Sequence, residues 1–192
     1  MSVINFTFDE ESHIYRVNSV PIPSVTQILK DLGLTPDFPP GPYRVRGRQV
    51  HKLCEIYDKG LIEQYEFGPG LMGYLDAWKK VCAEQGWVWN QTGIEERLYD
   101  PLLIVAGTID RVRDGDDPLI VDIKSGAAGK EAALQTAGYA QMRFPLIAGK
   151  VKRCTVEIHA DGTYNAPKFY DDYRDITAWM GAVELWKWKT RK

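Results

Sequence analysis

Cysteine is scarce in this chain. Its three cysteines, Cys54, Cys82 and Cys154, stand far apart, and no Cys-x-x-Cys pair occurs. An odd, scattered set does not make a disulfide framework, and it lacks the paired spacing of a structural zinc site, so free thiols in a reducing compartment are expected. Long apolar runs are missing as well. No window approaches eighteen consecutive apolar residues, so no membrane span is expected. The opening MSVINFTFDEESH has neither a basic leader nor an apolar signal core, and the expectation is a cytoplasmic protein. Net charge is almost absent, at −2, and by itself says nothing for a polyanionic partner. There is no internal repeat and no low-complexity segment, which excludes solenoids and tails.

What is present suffices for a core. With 192 residues, 44% hydrophobic and 11% aromatic, the chain reads as one globular domain spanning 1–192. Charge is uneven along it. GPYRVRGRQVHK, residues 41–52, holds Arg44, Arg46, Arg48 and Lys52 and no acid. Such a stretch reads equally as a phosphate-binding patch or as a solvated helix face. The basic tail after Glu184, LWKWKTRK, reads as lysines complementing a helix C-terminus.

The pattern of elements is α/β. INFTFDEESHIYRVN predicts an N-terminal hairpin around a polar turn. SVTQILKDLGL predicts a helix capped by Ser24, with Gln27 three residues on and Gly33 past its end. TPDFPPGPY, with four prolines, reads as a connector. A second helix is expected from about Gly47 to Lys59, its buried stripe Val50, Leu53, Cys54 and Tyr57. A third follows Pro69, with Leu71, Tyr74, Leu75, Trp78, Val81 and Cys82 on one face. LLIVAGTIDRV and PLIVDIKS read as strands joined across RDGDD. KEAALQTAGYAQMRF reads as a helix of small residues ended by Pro145. KRCTVEIHADGTYNAPKFY predicts a strand pair turning at Asp161-Gly162. A closing helix carries Ile176, Trp179, Met180, Val183 and Trp186 as core, with Trp188 off the stripe. The sum is a mixed central sheet flanked by helices.

One strand carries charge where apolar residues belong. In LIVDIKS, alternation puts Leu119, Val121 and Ile123 on one face and Ile120, Asp122 and Lys124 on the other. The neighbouring strand sets Thr108 and Asp110 to one side, so the hairpin can bring Asp110 near Asp122. Two close carboxylates repel unless a proton or a cation intervenes, and a hard divalent ion prefers such oxygen ligands. The plain structural alternative is an ion pair of Lys124 with Asp122 or Asp110. Downstream, Gln135 and Tyr139 stand four apart on one helical face. Upstream, His51 lies beside the apolar stripe of its helix, where a surface pairing with Glu55 is the simple alternative.

Taken in order, His51 in RGRQVH, a glutamate, GTID, VDIKSG and QTAGYA resemble the RecB-like branch of the PD-(D/E)XK nuclease superfamily. The likeness runs from PSVTQIL to the Gln-x-x-x-Tyr helix and is strongest to small phage-type and mitochondrial-genome-maintenance-type exonucleases. It implies a restriction-endonuclease-like core over 41–192, preceded by the hairpin and helix of 1–40. It implies His51, Asp110, Asp122 and the Ile123 backbone carbonyl as metal ligands, and Lys124 as the catalytic lysine. Gln135 and Tyr139 would lie along the active site and contact substrate. Glu95, rather than Glu96, would be the additional acid. Relatives that carry an iron–sulfur cluster use four cysteines, and three scattered ones exclude that.

The implied activity is Mg²⁺- or Mn²⁺-dependent hydrolysis of DNA phosphodiester bonds by an exonuclease, with linear DNA or single-stranded ends as the expected partner. The basic residues Arg44, Arg46, Arg48 and Lys52, with Gln135 and Tyr139, would hold the DNA. The resemblance also implies a role in recombination, replication or repair in a bacterium or phage-infected host. An endonuclease, or a silent nuclease-fold protein that binds DNA or a partner, is the alternative.

Overall fold

A computed structural model describes residues 4–35 and 41–191. The first strands are β1 (Phe6–Asp9), β2 (Ile14–Val17) and β3 (Val20–Ile22), and they form an antiparallel sheet in the order β1-β2-β3. The expected hairpin is there, and a third strand extends it. β3 is three residues long and holds Pro21, which hid it from a reading of strand propensity; proline is tolerated in an edge strand. Asn18 and Ser19 connect it with φ of 49° and 68°, the doubly left-handed backbone of a two-residue hairpin turn.

Helix α1 (Val25–Asp31) begins at Ser24, whose hydroxyl accepts from the Gln27 amide, and it is followed by Gly33 at φ 71°, as its capping sequence requires. Of the proline-rich connector, residues 36–40 lie outside the described residues. Helix α2 (Pro42–Asp58) starts five residues before the expected Gly47. Residues 43–49 show no apolar period because none of them is buried, so nothing in the pattern announced that first stretch. Helix α3 (Pro69–Gln85) stops at Gly86 in the left-handed conformation.

The main sheet contains β4 (Ile94–Asp100), β5 (Val105–Arg113), β6 (Leu119–Lys124), β7 (Lys152–Glu157) and β8 (Lys168–Phe169), in that spatial order. It is mixed: β6 and β7 are parallel and the other pairs antiparallel. Helix α4 (Ala132–Arg143) makes the crossover between the parallel strands, and α5 (Arg174–Thr190) closes the chain. Asp161-Gly162 does form a turn, bridging Ile158 to Tyr164, before the chain reaches β8.

Alternation along β6 divides the core in two. Ile120 packs with α1, α4 and α5 around the buried Trp179. Leu119, Val121 and Ile123 pack with α2 and α3 around Trp78. The small residues of α4 permit close approach. A methyl group on Gly138 would lie 2.9 Å from the Trp179 ring and 3.1 Å from Val25. Trp188 is exposed, as its position off the stripe predicts. The N-terminal sheet is tied to β5 at two points: Ala106 donates its amide to the Pro23 carbonyl, and the Tyr15 and Thr108 hydroxyls are 2.7 Å apart. That attachment sets the N-terminal sheet beside the polar end of β5 and β6.

A candidate metal-binding active site

The site begins with an interruption in the sheet. The β5–β6 register pairs Arg111 with Val121 and runs only away from Asp110. The β4–β5 register pairs Ile94 with Arg111 and Glu96 with Ile109, passing over Glu95 and Asp110. Strict alternation fails here as well, since Ile109 and Val112, three apart, share one core cluster. Asp110 takes up the freed hydrogen bonding: its Oδ2 accepts the Ile123 amide at 2.6 Å. Glu95 has φ of 53°. A non-glycine residue in that region carries strain, and such strain collects at functional sites.

Three side chains converge at this break. One ligand atom each from His51, Glu95 and Asp110 lies within 4.8 Å of the others. His51 reaches in from α2 and sets its Nδ1 3.2 Å from Asp110 Oδ1. The alternative pairing of His51 with Glu55 is not formed, because Glu55 is taken by Lys52 at 2.9 Å and Lys59 at 2.7 Å. Glu96, the other candidate acid, points away to Arg143, 3.0 Å distant.

Beside the trio, Asp122 and Lys124 form the ion pair that the strand pattern allowed, at 2.9 Å. Gln135 joins the parts. Its amide nitrogen donates to Asp122 Oδ1 at 2.8 Å and to the Tyr139 hydroxyl at 3.0 Å, and its carbonyl oxygen accepts from Lys124 at 3.0 Å. Helical spacing thus puts Gln135 and Tyr139 over the end of β6. Asp122 Oδ2 is buried, and the Lys124 ammonium is its charged partner.

The electrostatics follow from too many buried carboxylates. Burial drives Glu95 upward, Asp110 repels its charge further, and the opposing pull of His51 and Arg111 leaves it at about 7. Burial alone would lower His51, but the attraction and hydrogen bond of Asp110, helped by Glu95 and Asp122, raise it to about 9. For Asp110, burial pushes up but is outweighed by His51, the Ile123 amide and Lys124, so it is lowered. Asp122 is raised, chiefly by burial. Lys124 loses from burial and gains more from Asp122, so its ammonium is held. A divalent cation would relieve every strained member of this set. Two carboxylates and an imidazole whose ligand atoms lie within 4.8 Å of one another suit one, so the residues present fit a metal.

Ile123 lends its amide to Asp110 and lines a pocket that adjoins the site. Arg48 and Lys52 line the cleft of about 460 Å³ that holds the trio. Arg44 and Arg46 line the neighbouring pocket of about 770 Å³. Arg46 is also packed between aromatic rings, 5.2 Å from Tyr43 and 6.0 Å from Tyr74.

Several contributors escaped the sequence reading. Tyr15 anchors the N-terminal wall, and His13 lines both pockets; a histidine in a polar turn gives no signal. Arg111 is fully buried, bonds Asp58 at 2.7 Å, and lies 3.3 Å from Glu95. Its position next to Asp110 in an otherwise apolar strand was the available clue.

No protein-family model matches the chain, and no curated protein matches it. Solved structures do match its fold. One is the crystal structure of a "Putative exonuclease" from Eubacterium rectale at 2.19 Å resolution, with a TM-score of 0.54 and 10% identity, covering 88% of this chain and 72% of that one. At that identity the likeness is one of fold. Fold and site together define an α/β protein with an exonuclease-like fold and a His51, Glu95, Asp110 group able to hold a metal.

Proposed function

We propose that this chain is a metal-dependent deoxyribonuclease of the PD-(D/E)XK type, in its RecB-like branch, acting as an exonuclease on linear DNA. The observation that carries the reading is the convergence of His51, Glu95 and Asp110 with the Asp122–Lys124 pair in one cleft of an exonuclease-like fold. The PD-(D/E)XK pattern calls for that set, and an ordinary buried ion pair does not need it. The whole chain would serve as one nuclease unit, with the N-terminal sheet as a wall of its cleft.

His51, Glu95, Asp110 and Asp122 would hold Mg²⁺ or Mn²⁺, with the Ile123 carbonyl as a further ligand. Such an ion offsets phosphate charge, acidifies bound water and stabilises a leaving oxygen. Lys124 supplies a fixed positive charge near the scissile phosphate. Its ammonium is held by Asp122, so it stabilises developing charge rather than taking a proton. Gln135 keeps Lys124 and Asp122 in register through two hydrogen bonds. Arg44, Arg46, Arg48 and Lys52 contact phosphates, fixing the position of the strand without reading bases. A role in recombination, replication or repair is consistent with this activity.

The test is incubation of the purified protein with end-labelled linear DNA and closed circles in Mg²⁺, Mn²⁺ or EDTA, with Lys124→Ala as the contamination control. Metal-dependent loss of linear DNA alone, absent in the variant, is the expected result. Nicked circles would make it an endonuclease. Inert wild type in both metals would leave a nuclease-fold binding protein.

A further inference from the structure

Helix α5 is apolar on two opposite sides. One side enters the core: Trp179 and Val183 are fully buried, with Ile176, Met180 and Trp186 packed beside them. Half a turn away, the exposed side carries Ala178, Gly181, Leu185 and Trp188. These follow one another at intervals of three, four and three residues, the spacing of a seam along which one helix meets another. Leu185 is 53% exposed and Trp188 61%. A methyl group on Gly181 would meet nothing within 4 Å. A surface helix needs one apolar stripe, and the core of this chain accounts only for the first.

The second stripe is complementary to itself. Ala178 and Trp188 stand five positions either side of Val183, and Gly181 and Leu185 stand two either side. When two α5 helices run antiparallel about a two-fold axis at that level, the small residues of one copy face the large residues of the other. Trp188 then lies over Ala178, and Leu185 enters the notch at Gly181. Such a contact uses the same patch twice and closes on itself. A parallel pair would set the two tryptophans against each other and leave the two glycines facing across a gap. Charge selects the same orientation. Asp171 and Asp172 lead into the helix and Asp175 lies in its first turn, with Arg174 the single cation among them. The other end has Lys187, Lys189 and Arg191 and no acid. Antiparallel seating puts each acidic end beside a basic one and sets the helix dipoles in opposition.

We infer that the exposed stripe of α5 is a self-association surface whose occupant is α5 of a second copy of this chain. One helix from each copy gives a contact at or below the small end of specific interfaces, about 1,200 Å², so the dimer is weak, with Kd on the order of micromolar. Among the described residues, none from α5 lines the metal cleft or the neighbouring pocket, so both clefts stay open in the pair. Pairing on this face does not rest on the nuclease reading.

The test is sedimentation equilibrium of the full chain from about 1 to 200 µM, a range that brackets that affinity. A concentration-dependent equilibrium between monomer and dimer is expected. Leu185→Ala removes an apolar side chain from both halves of a two-fold contact and should weaken it about tenfold or more. Gly181→Leu fills the notch and should leave a monomer. Its better helix propensity keeps or raises the melting temperature, so lost pairing is not lost folding. Gly181→Leu combined with Leu185→Ala exchanges large for small on both copies and should restore the dimer to within about tenfold of wild type. A chain that is monomeric throughout the range would overturn the inference and give the stripe to a different partner. Gly181→Leu pairing like wild type, or a double variant that stays monomeric, would overturn it too. None of these outcomes touches the clefts, so the nuclease reading stands or falls separately.

Discussion

Asp110 and Arg111 are neighbours on β5, and both are buried, but they belong to different kinds of charge cluster. Arg111 is fully enclosed. It lies over Trp78 at 5.4 Å and bonds Asp58, which also accepts the Trp78 indole N–H at 2.9 Å. There, a cation meets its counter-charge inside the core, with one guanidinium nitrogen reaching on to Glu95 at 3.3 Å and another left without a hydrogen bond. Asp110 looks into an open cleft, where it converges with Glu95 on His51 and stands near the buried carboxylate of Asp122. Balanced buried charge holds a fold together. Carboxylates crowded at the floor of a cleft repel one another, and groups so perturbed collect at functional sites.

The largest effect should fall on the core side. Arg111→Ala leaves Asp58 buried without its partner and should destabilise the fold by about 3–5 kcal/mol in urea unfolding. A loss under about 1 kcal/mol would erase the contrast between the two clusters. On the cleft side, Lys124→Ala should lower turnover by about 10²–10³-fold with little change in KM. A variant equally weakened in KM alone would move Lys124 from chemistry to binding.

The pH dependence sharpens the comparison. Glu95 is raised to about 7 and His51 to about 9, so each holds its proton more tightly folded than unfolded. In EDTA, stability should therefore fall as pH rises, across about 4.5–7 for Glu95 and 6.5–9 for His51. The His51 contribution is fully present below its unfolded value and gone above 9. Ligation displaces these same protons, so the rise in melting temperature on adding Mn²⁺ should grow from pH 6 to 9. A shift that is flat with pH would remove His51 and Glu95 from the ligand set. The smallest effect is expected next door: Glu96→Ala breaks a partly exposed pair with Arg143 and should cost about 1 kcal/mol or less, with the Mn²⁺ response unchanged.

Much of this was legible in the chain. Alternation in LIVDIKS assigned each residue of β6 to its side, and the two core clusters follow that division. Ser24 and Gly33 marked the limits of α1. The i, i+4 spacing of Gln135 and Tyr139 put them together, and their mutual hydrogen bond confirms it. Less could be read where exposure or strain replaced pattern. The first turns of α2 carry no apolar period, β3 hides behind Pro21, and Glu95 departs from ladder geometry.

By itself the sequence determined the features that local sterics and periodicity govern: helix caps and stops, the faces of β6, and the presence of a charged pair in an apolar strand. These depend on residues within a few positions of one another. Tertiary structure decided which charges meet. Tyr15 joins Thr108 across 93 positions, and Arg111 finds Asp58 across 53. Whether His51 faces Glu55 or Asp110, and whether Glu95 or Glu96 turns inward, was settled by how α2, β4 and β5 pack. The energy of a buried charge depends on its whole surroundings, and those exist only once the chain has folded.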